Sequence, residues 1–210
     1  MITFKKYSVR YLLSLLALTF SVSILALSPI HCEAQPAIFA GEGMGQIQIG
    51  ETRASVHKKL GKPTKSLRWE SVSILQDTWT SNKSKSRLVV LYPANNPRVA
   101  QVETTSPKFY TPEGLSIQAN PSEALAFLGS GDSGLLLKRV ESPKPQYYMM
   151  MYHAKKGIAF FFNMTPKDLS RGKCEKIMVF SHKMPFFSPN TYKIVSSGEF
   201  MRNRGKRWKG

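Results

Sequence analysis

The chain has 210 residues, 30 of them Lys or Arg against 13 Asp or Glu, for a formal net charge of +17. That length suits one compact domain or two small ones. Two cysteines are too few for a disulfide-stapled scaffold, and among the scarce acids no pair stands out for general acid–base work.

The first 34 residues differ from the rest. Lys5, Lys6 and Arg10 lead into the acid-free apolar stretch Tyr11–Leu27, Ser28-Pro29 breaks it, and Cys32-Glu33-Ala34 offers a small-x-small cleavage pattern. The stretch is shorter than the ~20 residues of a comfortable membrane span, so residues 1–34 are expected to be a cleaved signal peptide. His31 before Cys32 does not suit a lipidation signal. Removing the segment leaves 27 bases against 12 acids and Cys174 as the lone cysteine, expected to be a small core residue. Residues 35–45 include Gly41-Glu42-Gly43-Met44-Gly45, lack the Lys-Ser/Thr of a phosphate loop, and read as a flexible linker.

Further along, a pattern occurs twice at a constant spacing of 68: Ile49-Gly50-Glu51-Thr52 leading to Leu60-Gly61, and Ile117-Gln118-Ala119-Asn120 leading to Leu128-Gly129. Each copy predicts a short helix. Thr52 caps the first, and Val56 and Leu60 share a face. Gly61 ends it and Pro63 prevents its resumption. In the second, Asn120 caps, Pro121 takes the first helical position, Glu123 completes a capping box, and Gly129 stops the helix. Helices this short need a surface to pack on. Three β-rich runs follow the first (Ser73–Thr80, Arg87–Tyr92, Val99–Thr104) and three the second (Tyr147–Tyr152, Gly157–Phe162, Cys174–Ser181). The expected fold is therefore α+β, with two tandem units at 46–110 and 111–185, each a short helix packed on a small antiparallel sheet.

Strand alternation puts Tyr147, Met149 and Met151 on one face and Tyr148, Met150 and Tyr152 on the other, both apolar. One helix covers one face. The second is either covered, by the other unit or by Met184-Pro185-Phe186-Phe187, or left as a docking surface made by Tyr148, Met150 and Tyr152. Residues 186–210 read as a basic, disordered tail: Arg202, Arg204, Lys206, Arg207 and Lys209 surround Trp208 with no acid in the last ten residues. On an exported protein such a tail would meet lipid headgroups, acidic polysaccharide or acidic protein faces rather than nucleic acid.

Catalytic motifs are hard to find. His57, His153 and His182 occur singly, with no HxxxH, CxxC or GxSxG. Asn82-Lys83-Ser84 and Asn163-Met164-Thr165 match the glycosylation sequon, meaningful only in a eukaryotic secretory pathway.

Residues 47–63 spell Ile-x-Ile-Gly-x-Thr-x-x-x-Val-x-x-x-Leu-Gly-x-Pro, which resembles the start of the small envelope domains of the BamE/SmpA-OmlA group. These share a fold with β-lactamase inhibitory protein, itself a tandem repeat. Residues 114–129 match less well: Gln118 replaces the glycine and no proline follows Gly129. The resemblance implies a non-enzymatic binding domain. BamE-type proteins are lipoproteins, which the missing lipidation signal does not support, and no β-lactamase contact residue carries over. The expectation is thus a periplasmic or secreted bacterial module for protein–protein or anionic-surface contacts, with no catalytic residues, cofactor or metal. The alternative is an exported hydrolase with a dispersed active site.

Overall fold

The computed structural model describes residues 37–129, 133–140, 142, 146–165 and 168–202. Three two-residue strands, β1 (Ile38–Phe39), β2 (Gly43–Met44) and β3 (Ile47–Gln48), form a small antiparallel sheet. Ile38, Met44 and Ile47 are buried in the main core, so the stretch expected as a linker supplies Ile38 and Met44 to that core.

Next comes helix α1 (Arg53–Leu60), with β4 (Lys65–Trp69), β5 (Ile74–Thr80), β6 (Arg87–Pro93) and β7 (Gln101–Thr104) after it. Helix α2 (Pro121–Leu128) is followed by β8 (Ser133–Arg139), β9 (Tyr147–His153), β10 (Ile158–Thr165) and β11 (Asp168–Phe180). Strand β12 (Tyr192–Ile194) and helix α3 (Ser197–Arg202) complete the described chain. The helix caps sit where the sequence puts them. Thr52 accepts from the Ser55 amide, and Asn120 with Glu123 forms a reciprocal capping box.

The expected class is overturned. The fold is mostly β, and there are no two tandem units each with a helix on its own small sheet. All strands from β4 onward belong to one nine-stranded antiparallel sheet, ordered β12-β8-β9-β10-β11-β7-β6-β5-β4. The cause lies at β7 and β11. A meander that ends on a bare strand leaves its N–H and C=O groups unpaired; these two last strands pair with each other, Val179 opposite Val102 and Phe180 opposite Gln101.

Alternation along the strands then sorts the core. One face carries Val90, Val102, Phe160, Phe162, Ile177 and Val179, packed under Val56 of α1 and Ala124 and Leu128 of α2. Complete burial of such side chains contributes roughly 1.5–3 kcal/mol each. Cys174 lies in the same core, where burial pushes its thiol up to about 12, far from a reactive thiolate. The last turn of α2 has no basic residue of its own. Lys156, from the β9–β10 turn, donates to the carbonyls of Phe127 (2.8 Å) and Leu128 (3.1 Å), supplying the positive charge that a helix C-terminus favours.

Gly157 ends that turn at φ +66°, and a Cβ there would lie 2.4 Å from the Phe180 carbonyl oxygen and 2.7 Å from the Gly41 Cα. Gly129, at φ +89°, has open space around its missing Cβ. Gly129→Ala should therefore cost about 1–2 kcal/mol, from backbone conformation alone. Gly157→Ala should cost at least twice as much, because the backbone must also move. Urea denaturation of both variants checks this, and equal losses would show that the contact at Gly157 is soft.

Candidate binding groove

Among the described residues no helix packs on the second face of the sheet. Leu137, Tyr148, Met150, Ala159, Phe161, Met178 and Phe180 form a separate cluster there, covered by Phe187 and Tyr192 from the C-terminal segment. Phe187 belongs to the stretch that the sequence offered as one of two possible covers. Tyr192 closes edge-on over Tyr148 and Phe161, with centroids 5.4 and 5.2 Å apart.

Toward β4 this cover stops and a groove opens, with a cavity of about 220 Å³. Its floor takes Gln76 from β5, Arg87 and Val89 from β6, Glu103 from β7 and Lys176 from β11; Trp69 of β4 stands at one wall, Phe187 and Tyr192 at the other. Lys176 sits over the rings of Phe161 (4.7 Å) and Tyr192 (6.0 Å) and pairs with Glu103 at 3.0 Å. Both members are largely buried, 16% and 9% exposed, so their charges cancel locally. Gln101 fastens the covering segment. Its Nε2 donates to the Phe186 carbonyl (3.0 Å) and to Glu103 (2.7 Å), while its Oε1 accepts from the Phe186 amide (2.7 Å). What the groove can do chemically is hold a small ligand by side-chain hydrogen bonds, ring contact and one cation, Arg87.

The densest polar cluster lies on the helix face. Asp77 of β5 is fully buried, and Arg53 grips it with two bonds of 2.7 Å from Nε and Nη2. His57, one helical turn on, reaches the same carboxylate at 2.7 Å, and Ser66 donates to it at 2.6 Å. Burial alone would raise Asp77, but the bonds from Arg53, Ser66 and His57 outweigh it and hold the carboxyl at about 2. The Ser66 hydroxyl donates to Asp77 and not to His57, so the arrangement does not activate a serine in the manner of a triad. It anchors α1 to the sheet. Among the described residues no three His, Cys, Asp or Glu side chains are gathered as for a metal ion.

Of the residues marked from sequence, Tyr148 is 4% exposed and Met150 fully buried beneath the C-terminal cover, and Tyr152 is half-buried beside them. Arg202 is exposed at the end of α3. Arg204, Lys206, Arg207, Trp208 and Lys209 lie outside the described residues, and Phe200, within the expected tail, packs on Tyr147. Sequence reasoning passed over Trp69, Arg87, Glu103 and Lys176. Their one advance signal was alternation, which puts Arg87 and Val89 on the face opposite Val90; nothing local says that four distant strands bring them together.

The sequence matches no protein-family model and no curated protein. Among solved structures, a DUF4309 family protein (YjgB) from Bacillus subtilis is similar, with 12% identity over 67% of this chain and 87% of that chain and a TM-score of 0.39. Likeness at that level carries no argument about fold or function.

Two outcomes follow from these contacts. Asp77 sits near 2 when folded and near 3.9 when unfolded, so its stabilisation is complete above pH ~4 and is lost as pH falls from ~4 through 2. Asp77→Asn should cost about 2–3 kcal/mol at pH 7, below the usual figure for a fully buried pair because Arg53 and His57 are about a third exposed. The variant should also lose less stability than wild type as pH falls from ~4 through 2. Parallel acid-side losses in thermal melts would remove Asp77 from that role. Gln101→Leu should free the Phe186 amide, seen as at least tenfold faster hydrogen exchange there while the Val102 amide stays protected. Unchanged exchange at Phe186 would mean that the segment is held by its rings alone.

Proposed function

We propose that the chain is an exported, non-enzymatic binding module that holds its ligand in the groove between Trp69 and Tyr192. The observation that carries this is the groove's make-up. Its rings and hydrogen-bonding side chains are built on rigid strands, and its buried charges Lys176 and Glu103 are already spent on each other. Such a lining favours recognition over bond-breaking, because no histidine is among the groove's residues and the one amine there, Lys176, is held as a charged partner of Glu103. Export is supported by the basic start and apolar stretch of residues 1–34, and an envelope or extracellular setting by the resemblance of residues 47–63 to BamE-type domains. The high net charge would favour anionic partners, as lipid headgroups, acidic polysaccharide or acidic protein faces.

Affinity capture from an envelope extract tests the proposal when run with two baits, the wild-type chain and a Trp69→Ala/Phe187→Ala variant that melts within a few degrees of it. At ~0.15 M salt, where screening shortens to about 8 Å, the wild type should retain a component that the variant loses. Identical captured sets would rule out the groove as the binding surface.

A further inference from the structure

The groove's chemistry narrows the ligand class. Resting on the binding-module proposal, we infer that it takes a short acidic saccharide, with a sugar ring against Trp69 and a uronate carboxylate at Arg87. The floor is the face of β5, β6, β7 and β11, strands interior to the sheet, whose N–H and C=O groups are consumed in the ladders with their neighbours. Strand β4 ends the described strand order, and its open edge lies in the plane of the sheet, not on this face. A peptide adding main-chain bonds needs a free strand edge, so a ligand on this face must be read by side chains. Those on offer are mainly neutral hydrogen-bonding groups, Gln76, Thr105, Ser188 and Thr191, which suit a ligand rich in hydroxyls. Trp69 supplies a flat apolar platform whose negative π face attracts the C–H edges of a ring.

Charge sets where on the groove a carboxylate would sit. Lys176 is neutralised by Glu103. Glu175, on β11 two strands from β6, accepts only from the neutral Asn163 amide at 2.9 Å and keeps its negative charge, so the favourable place for an anion is at Arg87. The Arg87 guanidinium has no hydrogen-bond or ion-pair partner among the described residues, and its planar fork matches a carboxylate. The cavity, about 220 Å³, falls below the ~300 Å³ at which drug-sized pockets begin. It accommodates one or two sugar rings, as a free oligomer or as the end of a longer chain.

Calorimetry on the full chain at ~0.15 M salt decides the matter with two probes, trigalacturonate and the neutral maltotriose. The variants are Trp69→Ala, Arg87→Gln and Lys62→Gln, the last removing an exposed charge away from the groove. Trigalacturonate should bind at least tenfold tighter than maltotriose. Trp69→Ala and Arg87→Gln should each weaken it tenfold or more, and Lys62→Gln less than twofold. Equal weakening by Arg87→Gln and Lys62→Gln would reduce the attraction to diffuse charge and overturn the assignment. So would equal affinity for the two saccharides. If trigalacturonate fails to bind while the groove variant still loses a captured component, the saccharide is wrong and the binding module stands; if both fail, both fall.

Discussion

A sheet edge is expensive to leave bare, and the pairing of β7 with β11 is the solution on which the rest of this molecule depends. Each of these strands ends a four-strand meander that follows a short helix. Joined edge to edge, the meanders make one sheet, set α1 and α2 over the same face, and bring Lys176 beside Glu103 across the seam. Without the seam there would be no continuous second face and no groove running across it.

The two faces use polar groups differently. On the helix face the polarity is concentrated at Asp77, whose four bonds tie α1 to β4 and β5. A buried carboxylate so thoroughly satisfied specifies one position for the helix. On the other face polarity is spread along the groove, and the apolar remainder lies beneath Phe187 and Tyr192. Gln101 belongs to both tasks: it sits in the seam strand and grips the covering segment through Phe186.

Much of the local structure was legible in the sequence. Caps and stop glycines located both helices, and β-rich runs located β5, β6, β7, β9, β10 and β11, because these signals depend on neighbours a few residues apart. Alternation also sorted Ile158, Phe160 and Phe162 from Ala159 and Phe161. The polar edge strand β4 escaped, since Lys65-Ser66-Leu67-Arg68-Trp69 has almost no apolar period, as did β12 in a stretch dominated by its charge. The merger of the meanders escaped for a deeper reason. Alternation tells which face a side chain takes, never which strand lies alongside, so two separate small sheets and one large sheet have the same sequence signature. The groove depends on that merger and was invisible with it. Asp77, set between Gln76 and Thr78 in a β-rich run, gave no sign that Arg53, His57 and Ser66 would converge on it.

The seam has a kinetic side. Its partners, Gln101–Thr104 and Ile177–Phe180, are more than 70 residues apart in the chain, so the central ladder must await the closing of a long loop. Each meander is built from near-neighbour hairpins and can zip locally, whereas their union carries the entropy of distant closure. Sheets dominated by such non-local pairing fold in milliseconds to seconds rather than microseconds. Until β11 arrives, β7 is a temporary open edge in the middle of the future sheet. Its two charged or amide side chains, Gln101 and Glu103, alternate there with Val102 and Thr104, which makes that edge less inviting to another chain during the wait.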